Sequence, residues 1–123
     1  MDLYREEILD HYKRPHNFGH LAHASAVGEE HNISCGDKII MEVVISKAAK
    51  VKKIVDVRFS GSGCAISVAS ASMLTDRVIG MSVASIMKLT LSDIQDALGT
   101  TLMPARVKCA MLSLEVLQKT VSK

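Results

Sequence analysis

The spacing of hydrophobic residues predicts helices at both ends of the chain. Tyr4, Ile8 and Tyr12 fall on one face of a helix over residues 3–14, and Pro15 ends it. In the second half of the chain, helical periodicity and Ala-rich or Ser-rich composition predict four more helices, over residues 64–79, 82–89, 92–98 and 104–121.

Single residues mark the starts of these later helices. Ser82 and Ser92 can each accept a hydrogen bond as N-caps, and Pro104 suits the first turn of the last helix. On that last helix Cys109 lies off the main apolar stripe. We therefore expect either that the helix is buried on two sides or that Cys109 opens onto a shared site.

Alternating apolar and polar residues predict a β-hairpin in the middle of the chain. The alternation covers residues 38–46 and again residues 53–60, where Val55 is expected on the buried face. The connection between these strands is too short for a crossover helix, so they should pair antiparallel. A further short strand is expected near residues 24–28.

Composition narrows the class of protein. The 123 residues are 48% hydrophobic and 23% charged, which excludes disorder and favours one domain over residues 1–123. The net charge of +2 does not favour nucleic acid as a partner. The longest uncharged run, residues 59–75, is too short and too rich in Gly and Ser for a membrane helix. The acidic amino terminus is unlike a secretory signal, so a cytoplasmic protein with reduced cysteines is expected.

Three cysteines are the main candidates for chemistry: Cys35, Cys64 and Cys109. An odd number argues against a disulfide framework and leaves apolar filler, nucleophile or metal ligand as their roles. Gly36 lets the chain turn, so that the Cys35 thiolate and the Asp37 carboxylate can converge. Cys64 is expected to open a helix, where backbone N–H groups and the helix dipole stabilise a thiolate.

Three thiolates and a carboxylate can bind zinc or an iron–sulfur cluster, and ligand softness does not separate the two. Asp37 is a harder ligand than the fourth Cys or His of most structural zinc sites, which suits a site that releases its cargo. A rival metal site of His16, His20 and His23 is disfavoured, because these residues lie in a predicted loop where helical spacing has no meaning.

Five segments of the sequence are recognisable together: Asp10-His11-Tyr12, Pro15-His16-Asn17-Phe18-Gly19, Cys35-Gly36-Asp37, Gly61-Ser62-Gly63-Cys64-Ala65-Ile66-Ser67 and Pro104-Ala105-Arg106-Val107-Lys108-Cys109. In this order they resemble the U-type iron–sulfur cluster assembly proteins, IscU and its relative SufU, which are similar to the amino-terminal part of NifU. His16 departs from the usual Arg. The resemblance implies an α+β fold, a small antiparallel sheet of about three strands packed against several helices, and the predicted order of elements agrees.

The resemblance also implies a function. Cys35, Asp37, Cys64 and Cys109 should meet at one exposed end and bind a [2Fe-2S] cluster or iron, with Zn²⁺ as the alternative or resting metal. A cysteine desulfurase should donate persulfide sulfur to one of the cysteines by thiol exchange, and apo iron–sulfur proteins should accept the cluster. The alternative is a zinc-dependent sulfurtransferase that builds no cluster. A purely structural zinc domain is disfavoured by Asp37.

The sequence combines features of the two branches of this family, IscU and SufU. Lys108 stands where IscU proteins have His and matches SufU; beside the site it could help to hold thiolates or a sulfide-bearing anion. The interval between Cys64 and Cys109 lacks the extra insertion of SufU and resembles IscU. Residues 102–106 read Leu-Met-Pro-Ala-Arg where IscU presents Leu-Pro-Pro-Val-Lys, which argues against recognition by a dedicated Hsp70 chaperone.

Overall fold

The computed structural model describes residues 3–33, 36–46 and 50–122. Within these ranges one helix precedes three strands, and four helices follow them. The elements are α1 (Leu3–Lys13), β1 (Ala26–Asn32), β2 (Asp37–Ser46), β3 (Lys53–Ser62), α2 (Ala65–Val78), α3 (Val83–Met87), α4 (Leu91–Leu98) and α5 (Pro104–Val121). The predicted α+β class is confirmed.

The three strands form one antiparallel sheet in the order β1-β2-β3. The predicted hairpin is therefore present as β2 and β3. Strand β1 is longer than expected and continues to Asn32, which pairs with Asp37 at the start of β2. The hydrophobic pattern gave no sign of this extension because residues 29–32 are all polar, and pairing with β2 orders them instead.

A β-bulge corrects the predicted face of one residue in β3. Val44 pairs with Asp56 and Ile45 with Ile54, so β3 has one extra residue at this point. That residue is Val55, which is 55% exposed, whereas Ile54 is buried. The expectation of a buried Val55 was wrong because an extra residue reverses the alternation beyond it.

The buried face of the sheet packs against α5, which contacts β1, β2 and α2. Along β2 the buried side chains on this face are Asp37, Ile39, Met41 and Val43. Helix α5 is buried on two sides, because Leu112 and Val116 are as inaccessible as Leu114 and Leu117. The first alternative for this helix, burial on two sides, is therefore confirmed, and Cys109 also shares a group of potential ligands with two other residues.

Of the two N-caps predicted for the short helices, Ser82 is confirmed and Ser92 is wrong. Ser82 caps α3 by accepting a hydrogen bond from the Ser85 backbone N–H. Helix α4 begins after Thr90 rather than at Ser92, because Thr90 and Asp93 form a reciprocal capping box. None of the helices in the described ranges is long and apolar enough to cross a bilayer.

Gly61 near the end of β3 generates a stability prediction. Its φ is +117°, and an added Cβ would lie 2.0 Å from the Lys38 carbonyl oxygen. Gly80 also has a positive φ, +90°, but open space around its Cβ position. Both Ala variants should be destabilised by backbone strain, and Gly61→Ala by about 1–3 kcal/mol more because of the clash. Urea unfolding measures this difference, and equal losses in the two variants would contradict the packing.

Candidate metal centre

Three elements that are distant in sequence bring Asp37, Cys64 and Cys109 together. Asp37 begins β2, Cys64 directly precedes α2, and Cys109 lies in the second turn of α5. A carboxylate oxygen of Asp37 and the two Sγ atoms all lie within 4.8 Å of one another. One metal ion can therefore contact all three side chains, and this is the group of potential ligands that the described part of the chain presents.

The loop between β3 and α2 holds Cys64 against Asp37. The Cys64 backbone N–H donates a 2.9 Å hydrogen bond to Asp37 Oδ1. Gly63 makes this approach possible, since a Cβ there would lie 2.6 Å from Asp37 Oδ1 and 2.2 Å from Ser67 Oγ. Cys64 is the N-cap of α2, as expected from its place after the Gly-Ser-Gly turn, and its thiol makes no capping hydrogen bond.

The burial of Asp37 indicates what the centre can bind. The residue is 1% exposed, and its Oδ2 has no hydrogen-bond partner among the described residues. A buried carboxylate oxygen without a partner is costly unless a cation or a donor satisfies it. Two thiols beside it complete a donor set that suits Zn²⁺ or iron. The residues present therefore fit a metal.

The three side chains differ in access to solvent. Cys64 is partly exposed, whereas Cys109 and Asp37 are buried. The expectation of an exposed site thus holds for Cys64 but not for the other two. The reason for the difference is that α5 is buried on both sides, so Cys109 is covered although it lies off the main apolar stripe.

Two other predicted site residues have different outcomes. Cys35 lies outside the described residues, and its role as a ligand stays a prediction. Lys108 is exposed and does not belong to the ligand group. It lines a cavity of about 220 Å³ together with His31, Asn32, Leu112 and Glu115, and none of the three ligands lines this cavity. Asn32 was missed from the sequence, since only its pairing with Asp37 brings it to this region.

The loop histidines do not assemble into the rival metal site. His16 Nδ1 lies 2.5 Å from an oxygen of Asp76 in α2. His20 Nδ1 lies 2.6 Å from an oxygen of Glu42 in β2. These two rings therefore contact carboxylates on different elements, which agrees with the expectation against a shared histidine site.

Comparisons with known proteins agree with this geometry. The family model of the NifU-like N-terminal domain matches residues 3–123. The zinc-dependent sulfurtransferase SufU of Bacillus subtilis (strain 168) is 36% identical, covering 98% of this chain and 90% of that protein. The iron–sulfur cluster assembly scaffold protein IscU of Aquifex aeolicus (strain VF5) is 37% identical, covering 96% of this chain and 73% of that protein.

A solved structure has the same fold. It is described as an iron–sulfur cluster assembly scaffold protein for the SUF system, from Fervidobacterium islandicum AW-1. The TM-score is 0.79 at 30% sequence identity, and the match covers 94% of each chain.

The alignments with these two relatives, SufU and IscU, differ in length. The alignment with the Bacillus SufU extends over 138 positions, at least 15 more than the 123 residues of this chain. The alignment with the Aquifex IscU extends over 118 positions and needs no such gap. This chain is therefore shorter than the Bacillus SufU within the aligned region. Alignments with two other proteins named IscU extend over 138 and 137 positions, so this difference in length does not test the predicted lack of an insertion.

The difference in burial predicts unequal thiol reactivity. In the folded, metal-free protein, iodoacetamide should alkylate Cys64 faster than Cys109, by on the order of tenfold or more, because Cys109 reacts only when the structure opens. Peptide mass spectrometry over a time course measures both rates. In denaturant the two rates should converge. Equal rates in the folded protein would show that Cys109 is not buried.

Proposed function

Because this chain belongs to the family of NifU-like N-terminal domains, we propose that it is an iron–sulfur cluster assembly scaffold that accepts sulfur from a cysteine desulfurase. One observation carries this proposal: a buried carboxylate oxygen of Asp37, without a partner in the described chain, lies beside two cysteine thiols. A cation that enters this site would satisfy the unpaired oxygen. The names of the relatives, a scaffold and a sulfurtransferase, are consistent with both metal and sulfur chemistry.

The proposed ligands are Asp37, Cys64, Cys109 and Cys35. Three thiolates are soft ligands of the kind that iron–sulfur clusters use, and Asp37 is the hard, exchangeable fourth ligand. Cys35 enters the set from the sequence, because it lies two residues before Asp37. The cluster is cargo in this proposal, so weak ligation by Asp37 favours its release to apo iron–sulfur proteins.

Sulfur delivery is a thiol exchange. A thiolate of this chain attacks the outer sulfur of the persulfide on the desulfurase, and a new S–S bond forms. The bond to the desulfurase cysteine breaks, and that cysteine leaves as a thiolate, so the transfer itself needs no external oxidant or reductant. Release of the sulfur as cluster sulfide takes two electrons, which thiols such as excess L-cysteine supply by forming a disulfide. Cys64 is the partly exposed cysteine of the ligand group and lies directly before α2, so its sulfur is the accessible candidate for this attack. Lys108 is the auxiliary residue, whose charge balances the excess negative charge near the centre.

A zinc-dependent sulfurtransferase is the second candidate. Lys108 favours it, and the similarity to the Bacillus SufU supports it. The same four side chains would hold the zinc ion, which keeps its thiolate ligands deprotonated when bound. The two candidates therefore share a site and differ in whether a cluster is built.

Further parts of the proposal concern the surroundings of the protein. We place it in the cytoplasm as a single domain over residues 1–123. Its partners are the cysteine desulfurase and apo acceptor proteins. A dedicated Hsp70 chaperone is not among them, because residues 102–106 depart from the sequence that such a chaperone recognises in IscU.

Anaerobic reconstitution tests the two candidates. The protein is incubated with a cysteine desulfurase, L-cysteine and ferrous iron, and absorption, acid-labile sulfide and desulfurase turnover are measured. A scaffold should develop a labile chromophore with bound sulfide, and Cys64→Ser and Cys109→Ser should lose it because each removes a thiolate ligand. Tight zinc retention and faster desulfurase turnover without a chromophore would instead support the sulfurtransferase.

Matched lysine variants control this experiment. Lys108→Met should slow sulfur acceptance, whereas Lys88→Met, at the exposed end of α3, should not. If the protein develops no chromophore, retains no zinc and does not stimulate desulfurase turnover, both candidates are overturned.

A further inference from the structure

Asn32 is the residue of the sheet that lies directly across from Asp37. It ends β1, and the β1–β2 register pairs it with Asp37 at the start of β2. Directly opposite residues in an antiparallel pair project to the same face, with Cβ atoms about 4.5–5.5 Å apart. The Asn32 side chain therefore borders the candidate metal centre.

Each residue of this Asn32–Asp37 pair has one buried polar atom without a hydrogen-bond partner among the described residues. Asn32 Nδ2 is buried and has no hydrogen-bond partner among the described residues, and the same is true of Asp37 Oδ2. One is a donor and the other an acceptor, yet they do not bond to each other. Buried polar groups of native proteins are normally paired, so an unpaired donor beside an unpaired ligand oxygen indicates a missing partner.

The chemistry of the amide restricts what that partner is. An amide nitrogen has no lone pair available for a metal, so Asn32 Nδ2 acts only as a hydrogen-bond donor. Asp37 Oδ2 is an acceptor, but the two atoms do not bond to each other in the structure, although neither has another partner among the described residues. The other acceptors that the described ligand group offers are the sulfur atoms of Cys64 and Cys109.

We propose that Asn32 is a positioning residue whose Nδ2 donates a hydrogen bond to a metal-bound sulfur of the loaded centre. The inference rests on the proposed function, since it requires metal and thiolate ligands at Asp37, Cys64 and Cys109. These three ligands carry a charge of −3 when the thiols are deprotonated, and Zn²⁺ leaves a net −1. A buried N–H donor stabilises such excess charge and orients the ligand that accepts the bond.

Lys108 does not replace this donor. It borders the same cavity as Asn32, but its ammonium group is exposed and solvated, so its interaction with the centre is screened and weakly directional. The Asn32 amide is buried at a fixed register position, which gives its hydrogen bond a defined direction.

Cobalt titration of variants of the 123-residue chain tests the role of Asn32. Co²⁺ reports thiolate ligation through charge-transfer absorption, independently of any sulfur-transfer activity. Asn32→Leu removes the donor, so Co²⁺ affinity should fall about tenfold and the charge-transfer band should shift. Asn32 Nδ2 has no hydrogen-bond partner among the described residues. Without metal, the Asn32→Leu variant should therefore unfold at the same temperature as the parent protein or at a higher one.

Two further variants make the result decisive. Asn32→Asp keeps the shape of the side chain but replaces the donor by a negative charge, so it should weaken Co²⁺ binding more than Asn32→Leu does. Asn17→Leu is the matched control, because Asn17 Nδ2 donates to Thr75 and Asp76 near the C-terminal end of α2, whereas Cys64 precedes its N-terminal end. It should lower the unfolding temperature and leave Co²⁺ affinity unchanged.

The outcomes separate this inference from the proposed function. If the parent protein shows thiolate-to-cobalt bands and both Asn32 variants keep its affinity and spectrum, Asn32 is not a positioning residue and the metal centre stands. A lower unfolding temperature of metal-free Asn32→Leu, with unchanged cobalt spectra, would also overturn the inference in favour of a structural role. Absence of thiolate-to-cobalt bands in the parent protein would instead overturn the centre itself.

Discussion

The buried carboxylate of Asp37 is the constraint on which the rest of the structure depends. It begins β2 on the face that packs against α5, a position where an apolar side chain would stabilise the fold. One of its oxygens is held by the Cys64 backbone N–H, and the other has no partner among the described residues. Burial of this carboxylate on folding costs free energy of desolvation, and a cation bound at the centre offsets that cost.

The surrounding elements supply a rigid frame for a centre whose ligands come from distant parts of the chain. The sheet fixes Asp37, the turn after β3 fixes Cys64, and α5, packed on the sheet and on α2, fixes Cys109. The aliphatic core around Ile39, Met41 and Leu114 is fully buried. Of these two cysteines, Cys64 is partly exposed to solvent and Cys109 is buried, so solvent reaches the centre from the Cys64 side.

Much of this architecture was predictable because local signals and tertiary structure agree. The Gly-Ser-Gly turn before an Ala-rich segment placed Cys64 at the start of a helix, and alternation located the hairpin. Features set by pairing between strands or by competition between caps were not predictable. The bulge that exposes Val55, the choice of Thr90 over Ser92 and the position of Asn32 opposite Asp37 all arise this way. The ligand role of Cys35 stays a prediction.

X-ray absorption spectroscopy of the zinc-loaded protein tests the central claim most directly, since it counts the atoms bound to the metal. Ligation by three cysteines and Asp37 predicts three sulfur atoms at about 2.3 Å and one oxygen at about 2.0–2.2 Å. The oxygen contribution should change in Asp37→Ala. A first shell containing imidazole nitrogen, or one that is identical in Asp37→Ala, would contradict the claim that Asp37 ligates the metal.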